Sequence, residues 1–183
     1  MNATVREALD GDRSGIAGVV RAAFPGDEGV EIDKLVSKLL SDATASPLIS
    51  LVADADSRVV GHVLFTSVKL EDSPIEVSAM ILAPLAVHPD FQGLGIGGRL
   101  IGEGLETACE AGIDLVFVLG WPGYYPKHGF VVAGAKGFEA SYPIAEEQAD
   151  AWMVQELRPG IIEKSRGRVV SAESLMDPKC WRE

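Results

Sequence analysis

The 183-residue sequence has little cysteine, little aromatic content and few positive charges, and it lacks any long apolar run. Its two cysteines, Cys109 and Cys180, form neither a CxxC pair nor a disulfide framework, so they read as reduced thiols of a cytoplasmic protein. Lys and Arg number 16 against 27 Asp and Glu, a net charge of −11. Like-charge repulsion on that scale disfavours broad contact with nucleic acid or anionic membrane surfaces, and neither is an expected partner. Apolar runs such as LVFVL (115–119) are too short to cross a bilayer. The opening MNATVREALDGDRSG has no apolar h-region, and no signal peptide is expected. The histidines His62, His88 and His128 are scattered over separate elements, so no metal site is expected.

What is present supports one folded unit. Apolar residues make up 47% and charged residues 23%, enough to build a core and too balanced for disorder. The pattern predicts a strand over 4–9 and a helix to about Phe24, capped by Asp10 or Asp12. A second helix is predicted over 28–41. LISLVAD (48–54) and VVGHVLFTSVKL (59–70) predict a hairpin that turns at Asp56-Ser57. MILAPLAV (80–87) is a strand, 96–111 a helix and LVFVLG (115–120) a buried strand. The strand–glycine turn–helix–strand order makes these two strands parallel. Leu100, Ile101, Leu105 and Ala108 face inward on that helix, and Cys109 is expected beside them as a buried thiol. A short helix at 124–128 and strands at 130–132, 151–157 and 167–171 follow. The chain reads as a single α/β (α+β) domain, 1–183, with 138–183 as a C-terminal elaboration.

The chemical signal is Gln92-Gly93-Leu94-Gly95-Ile96-Gly97-Gly98, set between a strand and a helix start. Amides there lack intrahelical acceptors and the helix dipole adds positive potential, while glycine lets a ligand approach the backbone. A pyrophosphate is the ligand such a turn suits. A Walker A loop is excluded, because no Lys-Ser or Lys-Thr follows the glycines. Gly93-x-Gly95-x-x-Gly98 does match the dinucleotide fingerprint GxGxxG. The ribose-binding acid expected at the end of the next strand is replaced by Gly120-Trp121. A tight turn with no ligand is the remaining alternative.

With Gln92 in front, the loop resembles the Q/R-x-x-G-x-G/A motif of the GNAT superfamily of N-acetyltransferases. PLAVHPDFQGLGIGGRL resembles that family's fourth strand, pyrophosphate loop and third helix, and YYPKHGF (124–130) its Y-x-x-x-G-F segment. Together they most resemble a widespread bacterial branch of N-acetyltransferases. The resemblance is strong over 80–132 and follows element order over 4–132. It implies a mixed, strongly twisted sheet flanked by helices, with strands four and five splayed around acetyl-CoA as cosubstrate. By position, Gln92 and the backbone of Gly93, Leu94, Gly95, Ile96, Gly97 and Gly98 would bind the pyrophosphate. Leu85, Ala86 and Val87 would pair with the pantetheine arm, and the Val87 N–H would polarise the thioester carbonyl. The implied reaction is acetyl transfer to a primary amine by direct attack, through a tetrahedral intermediate.

Such a transfer needs a proton acceptor for the ammonium, a donor for the oxyanion and an acid for the leaving thiolate. Tyr125 holds the tyrosine position of Y-x-x-x-G-F and is the expected acid, with Tyr124 packing beneath the strand. Glu76 is the base candidate preferred over Glu71, His62 and His88, alongside a water-mediated base. Asp27, Glu28, Glu31 and Asp33 cluster where the family handles its acceptor, and read either as a solvated helix start or as an acidic mouth for an amine. Trp121 stands where relatives carry a polar residue, either walling the acceptor pocket or packing on Pro122. The acceptor is a small-molecule or peptide amine, and the C-terminal strands are candidates for a homodimer contact. The alternative function is a catalytically silent acyl-CoA sensor or partner domain.

Overall fold

The structure, a computed structural model, describes residues 3–182. It begins with a short edge strand, β1 (Thr4–Glu7), followed by helix α1 (Arg13–Ala23). Neither Asp10 nor Asp12 caps α1 by its side chain, contrary to expectation. Asp12 instead accepts from Arg6 at 2.7 Å, and the same guanidinium reaches Asp54 at 3.0 Å. The guanidinium holds the Asp12 carboxyl down at about 2 and ties the sheet edge to the start of the helix. Helix α2 (Asp27–Leu39) turns its apolar face onto α1, with Val36 packing near Ile16, Val19 and Val20.

The predicted hairpin forms from β2 (Ile49–Ala55) and β3 (Arg58–Glu71). Asp56 and Ser57 both have positive φ, 52° and 63°, the conformation of a turn that matches the twist of the strands it joins. Strand β4 (Ala79–Val87) adds antiparallel to β3. Helix α3 (Ile96–Glu110) then crosses over, and β5 (Leu115–Leu119) returns parallel to β4, as a βαβ connection requires. On α3, Leu100, Ile101, Leu105 and Ala108 are buried, whereas Cys109 is exposed. One residue is about 100° around a helix, which carries Cys109 off the face that Ala108 buries.

The chain continues through β6 (Val131–Val132) and β7 (Phe138–Glu139), then β8 (Trp152–Glu156), the short helix α4 (Ile161–Lys164) and β9 (Gly167–Val170). The main sheet runs β1-β2-β3-β4-β5-β8-β6, mixed in direction, while β9 bridges the far end of β3 to β7. Both C-terminal strands therefore have their ladders occupied within the chain. Alternation along β4 and β5 splits the core. Met80, Leu82, Val116 and Val118 face α3. Ile81, Leu115 and Phe117 face the C-terminal segment with its Trp152, Leu175 and Trp181.

His62, opposite Ala86 in the β3–β4 ladder, is wholly buried. Its Nε2 lies 3.0 Å from Ser50 Oγ, and its Nδ1 has no hydrogen-bond partner, so it is a half-satisfied sheet residue. Burial lowers its pKa to about 4. Between about pH 6.5 and that value the unfolded chain takes up a proton that the folded chain refuses. Stability from this residue is thus complete above the ordinary imidazole range and lost as pH falls toward 4, by up to roughly 3 kcal/mol. Urea melts should show a smaller loss between neutral and mildly acidic pH for His62→Gln than for the wild-type chain. An identical loss in both would refute this assignment.

Candidate functional site

Strands β4 and β5 pair from Ala79–Leu115 to Leu82–Val118 and then part. The cause lies in the sequence of β4. On β3, Val63 faces Leu85 and Phe65 faces Leu82, so the single residue Leu64 spans two residues of β4, Ala83 and Pro84. That extra residue is a β-bulge, which bends a strand away from its neighbour. Pro84 also has no N–H to offer a ladder. Beyond the bulge β4 stays bonded to β3 alone.

Register then decides which amides are free. His88 N donates to Val60 O at 2.9 Å, so Val87 opposite Gly61 is a non-hydrogen-bonded pair. The N–H and C=O of Val87 point away from β3, toward the side β5 has left. Alternation gives Leu85 the same orientation and turns the polar groups of Ala86 into the β3 ladder. Of the three predicted strand contacts, Leu85 and Val87 line the cleft, and Ala86 is buried against the helical layer.

The glycine loop closes the end of this opening. Gly93 and Gly95 have φ of 74° and 79°, a region that favours glycine. Arg99 N is the amide that opens the helical ladder, donating to Gly95 O at 3.1 Å, which leaves Ile96, Gly97 and Gly98 N–H without intrahelical acceptors. The Gln92 side chain donates to Val87 O at 3.0 Å and so fixes the loop to the end of β4. Leu94 projects outward, and the Ile96 side chain enters the core. The resulting cleft of about 570 Å³ is bounded by Leu85 and Val87, by the loop, and by Tyr124, Lys127 and His128.

The sequence pattern marks the YYPKHGF segment but does not place these last three residues at a cleft. A Cβ on Gly97 would sit 2.6 Å from the Tyr124 hydroxyl, and one on Gly98 would sit 3.0 Å from the His128 ring. Glycine at both positions is what admits these side chains to the helix start. Lys127 Nζ lies 4.1 Å from the centre of the Tyr124 ring, a cation held over an aromatic face beside the free amides. Burial raises the Tyr124 pKa, and burial together with Lys127 lowers that of His128, so both are neutral at pH 7.

Tyr124 is seated differently from expectation. Tyr124 lines the cleft, while Tyr125 is buried with its ring against Gly120 and Phe130, where β5 ends. Glu76 is not brought to the opening. It is exposed beyond Ala79, and Ala79 to Ala83 alone spans about 13 Å of strand. Glu71 is paired with Arg168 at 3.1 Å. His88 belongs to the turn after β4, where it accepts from Asp90 N and meets Arg58 at 3.2 Å.

The acidic cluster divides. Asp33 is buried against Arg21 at 2.6 Å, and Glu31 pairs with Lys34 at 2.8 Å. Asp27 and Glu28 occupy the exposed first turn of α2. Glu28 also borders a second cavity, of about 370 Å³, on the face of the sheet opposite α3. Trp121 is 68% exposed and folds over Gly123, away from both cavities. Among the described residues no group of histidine, cysteine and carboxylate side chains could hold a metal ion. None of the described helices is long and apolar enough to cross a membrane.

Known proteins resemble this chain in sequence and in fold. The sequence profile of the acetyltransferase (GNAT) domain matches residues 47–132. The uncharacterized N-acetyltransferase YjhQ of Escherichia coli K12 is 50% identical over 127 residues, covering 67% of this chain and 68% of that protein. The uncharacterized N-acetyltransferase YhbS of the same strain is 32% identical over 143 residues, covering 78% and 81%. The crystal structure of Escherichia coli YhbS in complex with CoA matches with a TM-score of 0.85 at 28% identity, over 97% of this chain and 93% of that one. A GNAT family acetyltransferase from Brucella melitensis in complex with acetyl-CoA matches with a TM-score of 0.73 at 26% identity, over 95% and 98%.

The tie between loop and strand is testable without any ligand. Gln92→Ala removes one side chain–backbone hydrogen bond, worth about 1 kcal/mol. Amide hydrogen exchange should accelerate at residues 93–98 while the β3–β4 ladder stays protected. Unchanged exchange in the loop would show that Gln92 does not hold it.

Proposed function

The chain belongs to the GNAT family of N-acetyltransferases, and from that premise we propose that it moves an acetyl group from acetyl-CoA directly to a primary amine. One observation carries the reading. The free amides at the start of α3 and the free amides of Leu85 and Val87 flank one continuous cleft. The first set suits a diphosphate and the second suits an amide-bearing arm laid beside β4 like a missing strand. Acetyl-CoA has both parts in that order, and its thioester supplies the activated acetyl group.

Each residue then has a task. The N–H groups from Gly93 to Gly98 hold the diphosphate, with Lys127 adding a positive charge in an otherwise acidic protein. Leu85 and Val87 align the arm, and the Val87 N–H meets the negative charge that builds on the carbonyl oxygen. Tyr125 lies behind the cleft wall, its ring edge-on to Tyr124 at 5.3 Å where β5 ends, and its phenol is the acid that meets the departing sulfur between the parted strands. Tyr124 forms the wall beside the diphosphate and has no part in proton transfer. The amine arrives as an ammonium and must shed a proton before it attacks. That proton leaves through water in the cavity bordered by Glu28, which replaces Glu76 in this role.

Calorimetry is expected to show binding of acetyl-CoA and none of NAD; the opposite result would discard the reading. Gly97→Ala displaces the Tyr124 hydroxyl and should weaken acetyl-CoA binding roughly tenfold. The tyrosines separate in kinetics with any amine that is turned over. Tyr125→Phe should lower kcat roughly 100-fold with little change in the KM for acetyl-CoA, and Tyr124→Phe should raise that KM with kcat maintained. Unaltered kcat in Tyr125→Phe would remove it as the acid. Acetyl-CoA binding without release of thiol on any amine would favour the silent sensor.

A further inference from the structure

The second cavity lies across the parted strands from the first. Leu82 and Val118 are the last paired residues of β4 and β5 and face α3. Ala83 and Leu119 come next, face the other way, and border the second cavity together with Ile81. The parted strands are thus flanked by one cavity on each face of the sheet. The floor of the second is apolar, and its outer wall is the C-terminal segment: Leu175, Cys180, Trp181 and Arg182.

That wall is built, not draped. Trp181 is 3% exposed, donates from Nε1 to Leu175 O at 2.8 Å and meets the Trp152 ring edge-on at 5.6 Å. Asp42 accepts from Ser174 N at 2.9 Å and from Ser174 Oγ at 2.7 Å, and the Tyr142 hydroxyl donates to Met176 O at 3.1 Å. These bonds fasten the segment to the loop after α2 and to the chain before β8. The lining charges are of opposite sign, the Glu28 carboxylate and the Arg182 guanidinium.

We propose that this cavity receives the acceptor and selects a monoamine carried on an apolar or aromatic body, with the C-terminal segment setting that preference. The inference rests on the transferase reading above. An ammonium finds one carboxylate, in Glu28. An apolar body finds Ile81, Leu119, Leu175 and Trp181. A polycation, such as a polyamine or an aminoglycoside, would leave further charges against apolar walls and meet Arg182, which repels them.

The test compares phenethylamine and tryptamine with spermidine and kanamycin, using acetyl-CoA and reading free thiol. The arylalkylamines should have kcat/KM at least about tenfold higher than either polycation. Cys180→Phe fills the cavity from its wall and should raise the amine KM roughly tenfold while the KM for acetyl-CoA stays put. Glu28→Gln should lower kcat/KM for the amine about fivefold. Calorimetry of phenethylamine with the CoA-loaded protein should show binding that Cys180→Phe weakens. If acetyl-CoA is bound and used but the polycations are preferred, or Cys180→Phe leaves every amine KM unchanged, this inference fails and the transferase reading stands. If acetyl-CoA is neither bound nor used, both fail.

Discussion

The parting of β4 and β5 after Leu82–Val118 is the constraint on which the rest of the structure depends. An extra residue at Ala83-Pro84 bends β4, and β5 cannot follow it. The N–H groups of Leu85 and Val87 are consequently denied the neighbour that a closed sheet would give them. In a folded interior such groups are costly unless something bonds them. Here they border a cleft, where water or an extended ligand can reach them. The same parting exposes Ala83 and Leu119 to the opposite face. A single bulge thereby generates both cavities and the gap between them.

Much of this was legible in the sequence, for identifiable reasons. The hairpin turn at Asp56-Ser57, the helix α3 and the parallel return of β5 each rest on local signals: turn residues, helical periodicity, and the handedness of a βαβ unit. The glycine loop was readable because Gly93 and Gly95 need positive φ and because Gly97 and Gly98 leave room for other side chains. What escaped is three-dimensional. Whether Tyr124 or Tyr125 lines the cleft depends on a short 3-10 turn whose phase adjacent tyrosines do not reveal. Asp12 reads as a cap, but Arg6 captures its carboxylate across the start of the fold. Glu76 lies close to β4 in sequence but at the wrong end of the strand. Cys109 adjoins an inward residue and still faces solvent.

The C-terminal elaboration follows from the same geometry. Once β5 separates from β4 its tip needs support on its other edge, and β8 provides it. Trp152 pairs with Leu119, one residue beyond the last contact between β5 and β4. Phe117 stacks on Trp152 with ring centres 5.2 Å apart, and Trp181 closes on Trp152 from the tail. Phe117, Trp152 and Trp181, three of the chain's few aromatic residues, are thus gathered behind the diverging strand. They carry the load that ladder hydrogen bonds would carry in a continuous sheet, and they place the tail against the second cavity.

Holding the gap open from behind has a consequence for binding. A flexible gap would have to be ordered by the ligand, and that ordering would subtract from affinity. Here β4 is fixed by β3, the loop is fixed to Val87 by Gln92, and β5 is fixed by β8. The amides of Leu85, Val87 and the start of α3 therefore point into the cleft before any ligand arrives. An extended ligand that reaches them finds the sheet already in place. Preorganisation of the main chain, more than any single side chain, is what this cleft offers an extended ligand.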